Sequence, residues 1–456
     1  MIAKSKKDLI DYCLVNNVEV VNFHYCGYDG RLKTLNFVIR DEDHLRNILE
    51  AGERVDGSSL FPFIQAGKSD LYVIPRYKTA FRNPFETTPT VDVLCQFFTR
   101  DGKPFENSPQ YILHKASEAF KKATGLEMQT MGELEYYVVS PEEELYPIAD
   151  QKGYHESAPF CKYGNLRVEA MRLITACGGT VKYGHSEVGN FTENGLCYEQ
   201  NEIEFTPTDI EDAADQLVIA KWVMWQLAYK YGVNLTFTPK ITEGKAGSGL
   251  HVHCKFTKNG KPVMTENGEL TEYCRKAIAG MMDLGTSLPA FGNPSPVSFK
   301  RLVPNQEAPT SLCWSFSNRS ALVRVPLGWT TDTDMAAICN PLEKETKRDF
   351  SEKQTFEWRA SDGEADIYLL MSALCIAARH GFEMEDALAV ADRTYVDLGV
   401  NIHDRSNTAL REALEQLPAT CADAADELEK DKAVYTLHGV FSDDVIEYQK
   451  AFLKKF

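Results

Sequence analysis

Four short segments place ionisable side chains at every second position, and this pattern constrains the fold more than any other feature of the chain. Residues 131–139 read Met-Gly-Glu-Leu-Glu-Tyr-Tyr-Val-Val. As a strand, the segment puts Glu133 and Glu135 on one face, because side chains alternate with a period of two. Residues 200–206 do the same with Glu202 and Glu204, residues 250–256 with His251 and His253, and residues 355–359 with Glu357 and Arg359. One such strand is an ordinary solvated sheet face. Four of them, built on glutamate and histidine rather than lysine, serine and threonine, are less easily dismissed, and the question they raise is whether the charged faces converge. Clustered carboxylates repel strongly and persist only if cations neutralise them. A carboxylate-rich set with few imidazoles suits hard divalent ions, magnesium or manganese, rather than a structural zinc. Two such ions suit phosphoryl transfer, in which they clamp and neutralise phosphate oxygens.

The complement is arginine. Arg301, Arg319, Arg324 and Arg359 lie in the same part of the chain, and guanidinium forks match carboxylates and phosphates. The net charge of −17 argues against nucleic acid or an anionic membrane as partner, since both need a basic face, but a local arginine cluster still accommodates a nucleotide. Twelve cysteines, none in a CxxC pair, fall singly in apolar stretches and read as reduced core thiols of a cytoplasmic protein. Lys4, Lys6 and Lys7 are not followed by the long apolar stretch of a signal peptide. The longest near-apolar run, Tyr368 to Ala378, is too short to span a bilayer and reads as a buried helix.

A chain of 456 residues exceeds one ordinary core, so two domains are expected. The first hundred residues read as an early helix, from about Lys7 to Val15. Strands follow at Val18–Tyr25, Thr34–Ile39, Leu71–Ile74 and Thr90–Phe98. The turn-rich Asp101-Gly102-Lys103-Pro104-Phe105 marks the boundary, giving domains 1–103 and 104–456. Ser108 and Pro109 start a helix that Gly125 ends. A second helix runs from a capping-box spacing at Thr208 and Glu211, past a stripe of Leu217, Val218, Trp222 and Trp225, to Gly232.

The order of motifs resembles the glutamine synthetase family along almost the whole chain. Asp56-Gly57-Ser58-Ser59, Asp101 to Phe105, Gly132-Glu133-Leu134-Glu135, Tyr154 and His185-Ser186-Glu187 match successive family segments. Gln200-Asn201-Glu202, Gly247 to His253, Lys300 to Pro304, Glu307-Ala308-Pro309 and Asn318 to Ala321 continue the series. The resemblance implies an α+β fold: a small N-terminal β-grasp domain, then a larger α/β catalytic domain with a curved antiparallel sheet. It implies an ATP-dependent ligase that phosphorylates the γ-carboxylate of glutamate and condenses it with ammonia, giving glutamine, ADP and phosphate. It also implies a homo-oligomer, a dodecamer of two stacked hexameric rings with sites shared between neighbours.

On the matched positions, Glu135, Glu187 and Glu202 would hold one Mg2+ or Mn2+, and Glu133, His251 and Glu357 a second, with a further ion possible beside the nucleotide. Glu193 and Glu199 are rivals for the place of Glu202. Arg301, Arg359 and the backbone of Gly247 would bind glutamate. Arg319, Arg324 and His253 would meet the ATP phosphates. Asp56 from a neighbouring subunit would help deprotonate ammonium, and Glu307 would sit on a flap over the intermediate.

The chain departs from the family pattern at Ala246, at the flap Pro304-Asn305-Gln306-Glu307, at an added loop from Phe191 to Tyr198, and after Arg359. Asp392-Arg393-Thr394-Tyr395 does not match the family's adenylylated tyrosine loop. Retention of Asp56 and Glu307 favours ammonia as the second substrate. Ala246 and the altered flap favour a γ-glutamyl ligase for a larger amine or polyamine. A third reading, a non-catalytic nitrogen-sensing protein, is opposed by the complete set of metal carboxylates.

Overall fold

The computed structural model describes residues 2–64, 66–304, 306–328, 333–346 and 350–456. Asn305 of the flap lies outside the described residues.

Residues 20–99 build a six-stranded sheet. Its strands are β1 (Val20–Cys26), β2 (Leu32–Val38), β3 (Glu53–Asp56), β4 (Asp70–Pro75) and β5 (Thr90–Thr99) in the order β2-β1-β5-β4-β3, with Phe81–Arg82 as a short sixth strand against β5. β1 and β5 run parallel. The four strands expected here form, and the early helix occupies Lys6–Val15. A helix at Glu42–Ala51, capped by Asp41, was not anticipated. The sheet has its own core, in which Val21, Phe23, Val73, Val91 and Val93 are solvent-free.

The second sheet carries the four charged segments. β6 (Glu127–Pro141), β7 (Val181–Ser186), β8 (Leu196–Phe205), β9 (Leu250–Lys258), β10 (Trp314–Phe316), β11 (Val323–Val325) and β12 (Phe356–Trp358) lie in the order β10-β11-β12-β9-β6-β8-β7. All adjacent pairs are antiparallel except β10 and β11. The apolar face of this sheet, with Leu134, Ile203, Leu250, Val252 and Trp358, is buried at 1% exposure or less. Each such side chain contributes about 1.5–3 kcal/mol by leaving water. That burial fixes the register, because a one-residue slip would turn every charge into the core.

Helices Pro109–Thr124, Ile210–Tyr231 and Ile367–Glu383 supply the other side of the core. Ser108 caps the first and Gly125, left-handed at φ 69°, ends it, as the sequence predicts. The second starts differently. Asp209, not Thr208, is the cap: its carboxylate accepts from the Glu211 amide, while Thr208 pairs with Thr130 of β6. The Glu211 side chain turns to His114 instead of closing a capping box. Gly132 is small because Leu217 packs directly on it, 3.0 Å from where a Cβ would stand.

The added segment from Phe191 to Tyr198 is not a loop but a hairpin. Phe191–Glu193 pairs with Leu196–Tyr198 around Asn194-Gly195, whose φ values of 52° and 75° are those of a two-residue hairpin turn. Polar contacts tie the first sheet to the helices Ile210–Tyr231 and Ile367–Glu383. Arg76 meets Asp215 at 2.7 Å, and the Tyr368 hydroxyl donates to the same carboxylate at 2.8 Å.

Candidate active site

Antiparallel pairing converts the alternating pattern into rows of side chains across the sheet. Glu202 faces Glu135 and Glu204 faces Glu133 between β8 and β6. His251 faces Glu133 between β9 and β6. Glu357 of β12 lies between His253 and Arg324. His185 of β7 faces Glu202. The four faces therefore do converge, and a cleft of about 1130 Å³ opens over them.

Two groups of metal-competent atoms result. In the first, His185, Glu187 and Glu202 offer donor atoms within 4.8 Å of one another. Glu135 stands alongside, accepting from the Gly249 amide at 2.6 Å. In the second, Glu133, His253 and Glu357 converge within the same limit. Glu133 also meets Nδ1 of His251 at 2.9 Å. His253 joins this group beside His251: its Nε2 meets Glu133 at 2.9 Å and Glu357 at 2.7 Å, while His251 and not His253 lines the cleft. Glu133 joins a third grouping with Glu202 and Glu204.

The rivals of Glu202 point elsewhere. Glu199 is fully buried and accepts from the Lys162 and Tyr163 amides at 2.9 Å, ahead of the helix Gly164–Ala176. Glu193 is exposed and accepts from Thr242.

Electrostatics separate the two groups. Burial pushes the Glu187 carboxyl up to about 7, and the neighbouring Glu307 and Glu133 add to the rise. Glu202 is pushed well up by burial and by Glu133, Glu135 and Glu187. Glu135 is likewise raised, first by burial. Glu357 is different: burial and Glu133 oppose its ionisation, but His253 and Arg359 outweigh them and hold it down at about 2. Burial opposes the charge on His253, yet Glu133 and Glu357 raise it to about 10. Three carboxyls that lack a cation, with imidazoles at hand, form a donor set that fits hard divalent ions.

The arginines border the second group. Arg324 and Arg359 each reach the same Glu357 oxygen at 2.9 Å. Arg301 donates to the carbonyl of Ala360 at 2.8 Å and lies 3.4 Å from His251. A Cβ at Gly249 would stand 2.4 Å from the Arg301 guanidinium, and one at Gly247 would stand 2.5 Å from the Pro239 carbonyl. These glycines exist so that Arg301 can enter. Arg319 and Glu307 are exposed at the rim, and Gly247 lines the wall. Gln200 braces that wall by donating to the Gly247 carbonyl at 2.9 Å. Asp56 does not reach the cleft; its carboxylate accepts from Ser58 and Ser59 in the turn after β3.

Several lining residues have no role in the sequence reading. His185, named there only as part of a motif, could have been given one, since it precedes Glu187 by two on an extended segment. Lys240, which donates to Gln306 of the flap, and His403 come from irregular segments with no periodic signal.

A β-sheet wall of carboxylates and imidazoles bordered by arginines has the chemistry that metal-dependent phosphoryl transfer calls for. The family models agree. The glutamine synthetase β-grasp domain matches residues 17–100, and the glutamine synthetase catalytic domain matches residues 106–454. The chain belongs to the glutamine synthetase family. It is 29% identical over 437 residues to the glutamine synthetase of Methanococcus maripaludis, covering 93% of this chain and 90% of that protein. It is 28% identical to that of Thermotoga maritima over 92% and 88% of the two chains. Similar folds include Plasmodium falciparum glutamine synthetase, with a TM-score of 0.81, 20% identity and 100% and 96% coverage. Ligand-free GmaS has a TM-score of 0.78, 19% identity and 98% and 95% coverage.

Proposed function

We propose that the chain is an ATP-dependent γ-glutamyl ligase that phosphorylates glutamate and condenses it with ammonia. The observation that carries this reading is the pairing register, which sets two carboxylate–imidazole groups side by side below four arginines. Glu135, Glu187 and Glu202, assisted by His185, would hold one Mg2+ or Mn2+, and Glu133, His251 and Glu357, with His253, a second. When bound, such ions neutralise the phosphate oxygens of ATP.

The residues of the chain do the remaining work. Arg301, Arg359 and the Gly247 backbone orient glutamate so that its γ-carboxylate attacks the γ-phosphate, giving an acyl phosphate and ADP. Arg319 and Arg324 stabilise the charge on the phosphoryl group in transfer, and His253, called a phosphate contact from the sequence, acts on it through Glu133 and Glu357, which its ring joins. Glu307 closes over the acyl phosphate and keeps water away. The amine then displaces phosphate. Asp56 lies outside its own cleft, so its part in taking a proton from ammonium requires a neighbouring chain. That fits a ring-shaped homo-oligomer, a dodecamer in our reading, of chains divided at residues 103/104. Among the described residues no helix is long and apolar enough to cross a membrane, and the free thiols fit the cytoplasm.

A larger amine is the second reading. Tyr154 stacks on His155 at 4.1 Å, and His155 lies 4.4 Å from His185, so a group of rings, of which Tyr154 and His185 line the cleft together with Ala246, borders it. Phosphate release from ATP, glutamate and Mg2+ with ammonium or a panel of amines decides between them, with Glu357→Ala as control. Turnover with ammonium that the control loses supports the first reading, and turnover only with larger amines supports the second. Release with no amine at all overturns both.

A further inference from the structure

The proposed ion sites leave one grouping of donor atoms without a role, that of Glu133, Glu202 and Glu204. Glu133 and Glu202 each serve one of the two sites, so Glu204 is the member that belongs to this grouping alone. It already has a cation. Lys182 Nζ meets a Glu204 oxygen at 2.7 Å, and among the described residues this is the one ion pair that Glu204 makes.

Lys182 reaches Glu204 because the strand is interrupted at that point. Glu204 of β8 faces Tyr183 of β7, but the next residue, Phe205, faces Val181, so Lys182 is an extra residue with no partner opposite. In regular pairing Lys182 would face Phe205, which is solvent-free in the core. The bulge turns it to the carboxylate face instead, and re-aiming one side chain beside a site is what such bulges do. The ammonium also lies 5.0 Å from the centre of the Tyr183 ring, which lines the cleft. At that distance ring and cation attract. Lys182 remains 42% exposed, while the carboxylate it holds is buried.

The donor atoms of the three carboxylates lie within 4.8 Å of one another. Left alone they would repel, and a third divalent ion would be drawn between them. A lysine ammonium is a compact point charge that can take that place. It is tethered to the chain, and it brings one positive charge where the ion would bring two.

We propose that Lys182 is a positioning residue that stands in for a third divalent ion, holding Glu204 so that the carboxylate row takes two ions and no more. This rests on the two-ion ligase reading. Glu202 then serves the first site and Glu133 the second, and neither is shared with an ion between them.

The test is equilibrium binding of Mn2+, without nucleotide, to the wild type, Lys182→Met, Lys182→Arg and the double variant Lys182→Met with Glu204→Gln. Circular dichroism and the unfolding midpoint show that each is folded. Lys182→Arg, which keeps the charge, should bind two ions per chain like the wild type. Lys182→Met should bind three, and the double variant two again. An ion pair that only stabilises the fold would lower the unfolding midpoint of Lys182→Met without adding an ion. Two ions in Lys182→Met, a third ion that survives in the double variant, or three ions in the wild type overturns the proposal. Wild-type protein that binds no Mn2+ overturns the two-ion reading itself.

Discussion

Both sheets bury charged groups on neighbouring strands, and they deal with them in opposite ways. In the N-terminal sheet, Asp92 is solvent-free and fully answered. Asn22, Asn83 and His24 each reach it at 2.8 Å, and His24 in turn meets Thr34 at 2.9 Å. The chain supplies every partner, so the cluster is closed. In the catalytic sheet, Glu135, Glu187 and Glu202 face one another, and burial raises all three. The chain supplies only part of the positive charge and leaves the rest to something that binds. A buried charge cluster is therefore structural when the fold completes it, and a site when the fold leaves it short.

The sharpest way to break this contrast is to remove one member from each cluster. Glu187→Ala should lower ligase kcat/KM by about 1,000-fold, the scale of lost electrostatic stabilisation in a transition state, with the unfolding midpoint little changed. Asp92→Ala should act the other way. It should cost about 3 kcal/mol of stability, as breaking a buried ionic pair does, and lower activity only through unfolding. Denaturant titration beside the kinetic assay separates the two.

A smaller effect has the opposite sign. Glu202→Gln removes one charge from a set that repels itself, so the metal-free variant should be more stable than the parent by roughly 1 kcal/mol, the worth of one pKa unit. The same substitution at Asp92 should destabilise.

Most of the catalytic sheet's charged pairs were legible in the sequence because they share a strand. Glu133 with Glu135 and His251 with His253 follow from a period of two alone. What joined them was long-range register, and that is where the sequence was mute. It did not show that His253 would sit between Glu133 and Glu357, or that Glu199 would be spent on the amides of Lys162 and Tyr163. It did not show that two arginines would share one Glu357 oxygen. The hairpin at 191–198 was hidden for a local reason: its first strand is three residues long and pairs with only the first three of β8, too few for alternation to register. Asp92 was unread because its three partners lie 9 to 70 residues away in sequence.

The smallest predicted effect depends on pH. A carboxyl with a folded value of about 7 against an ordinary 4.5 holds its proton more tightly in the fold. The stability it contributes is present below about pH 4.5 and is lost as the pH rises through 7. A divalent ion reverses that loss by binding the ionised form. Saturating Mg2+ should therefore raise the unfolding temperature by a few degrees at about pH 8 and by much less at about pH 5. Equal shifts at both would show that the ion binds elsewhere.

The most direct test is equilibrium binding of Mn2+ to the purified protein near pH 8, without nucleotide. The account predicts two ions per chain, one of them lost in Glu187→Gln and neither lost in Asp92→Asn. Absence of stoichiometric binding, or two ions retained in Glu187→Gln, would contradict the claim that the catalytic sheet is left short of positive charge in order to bind it.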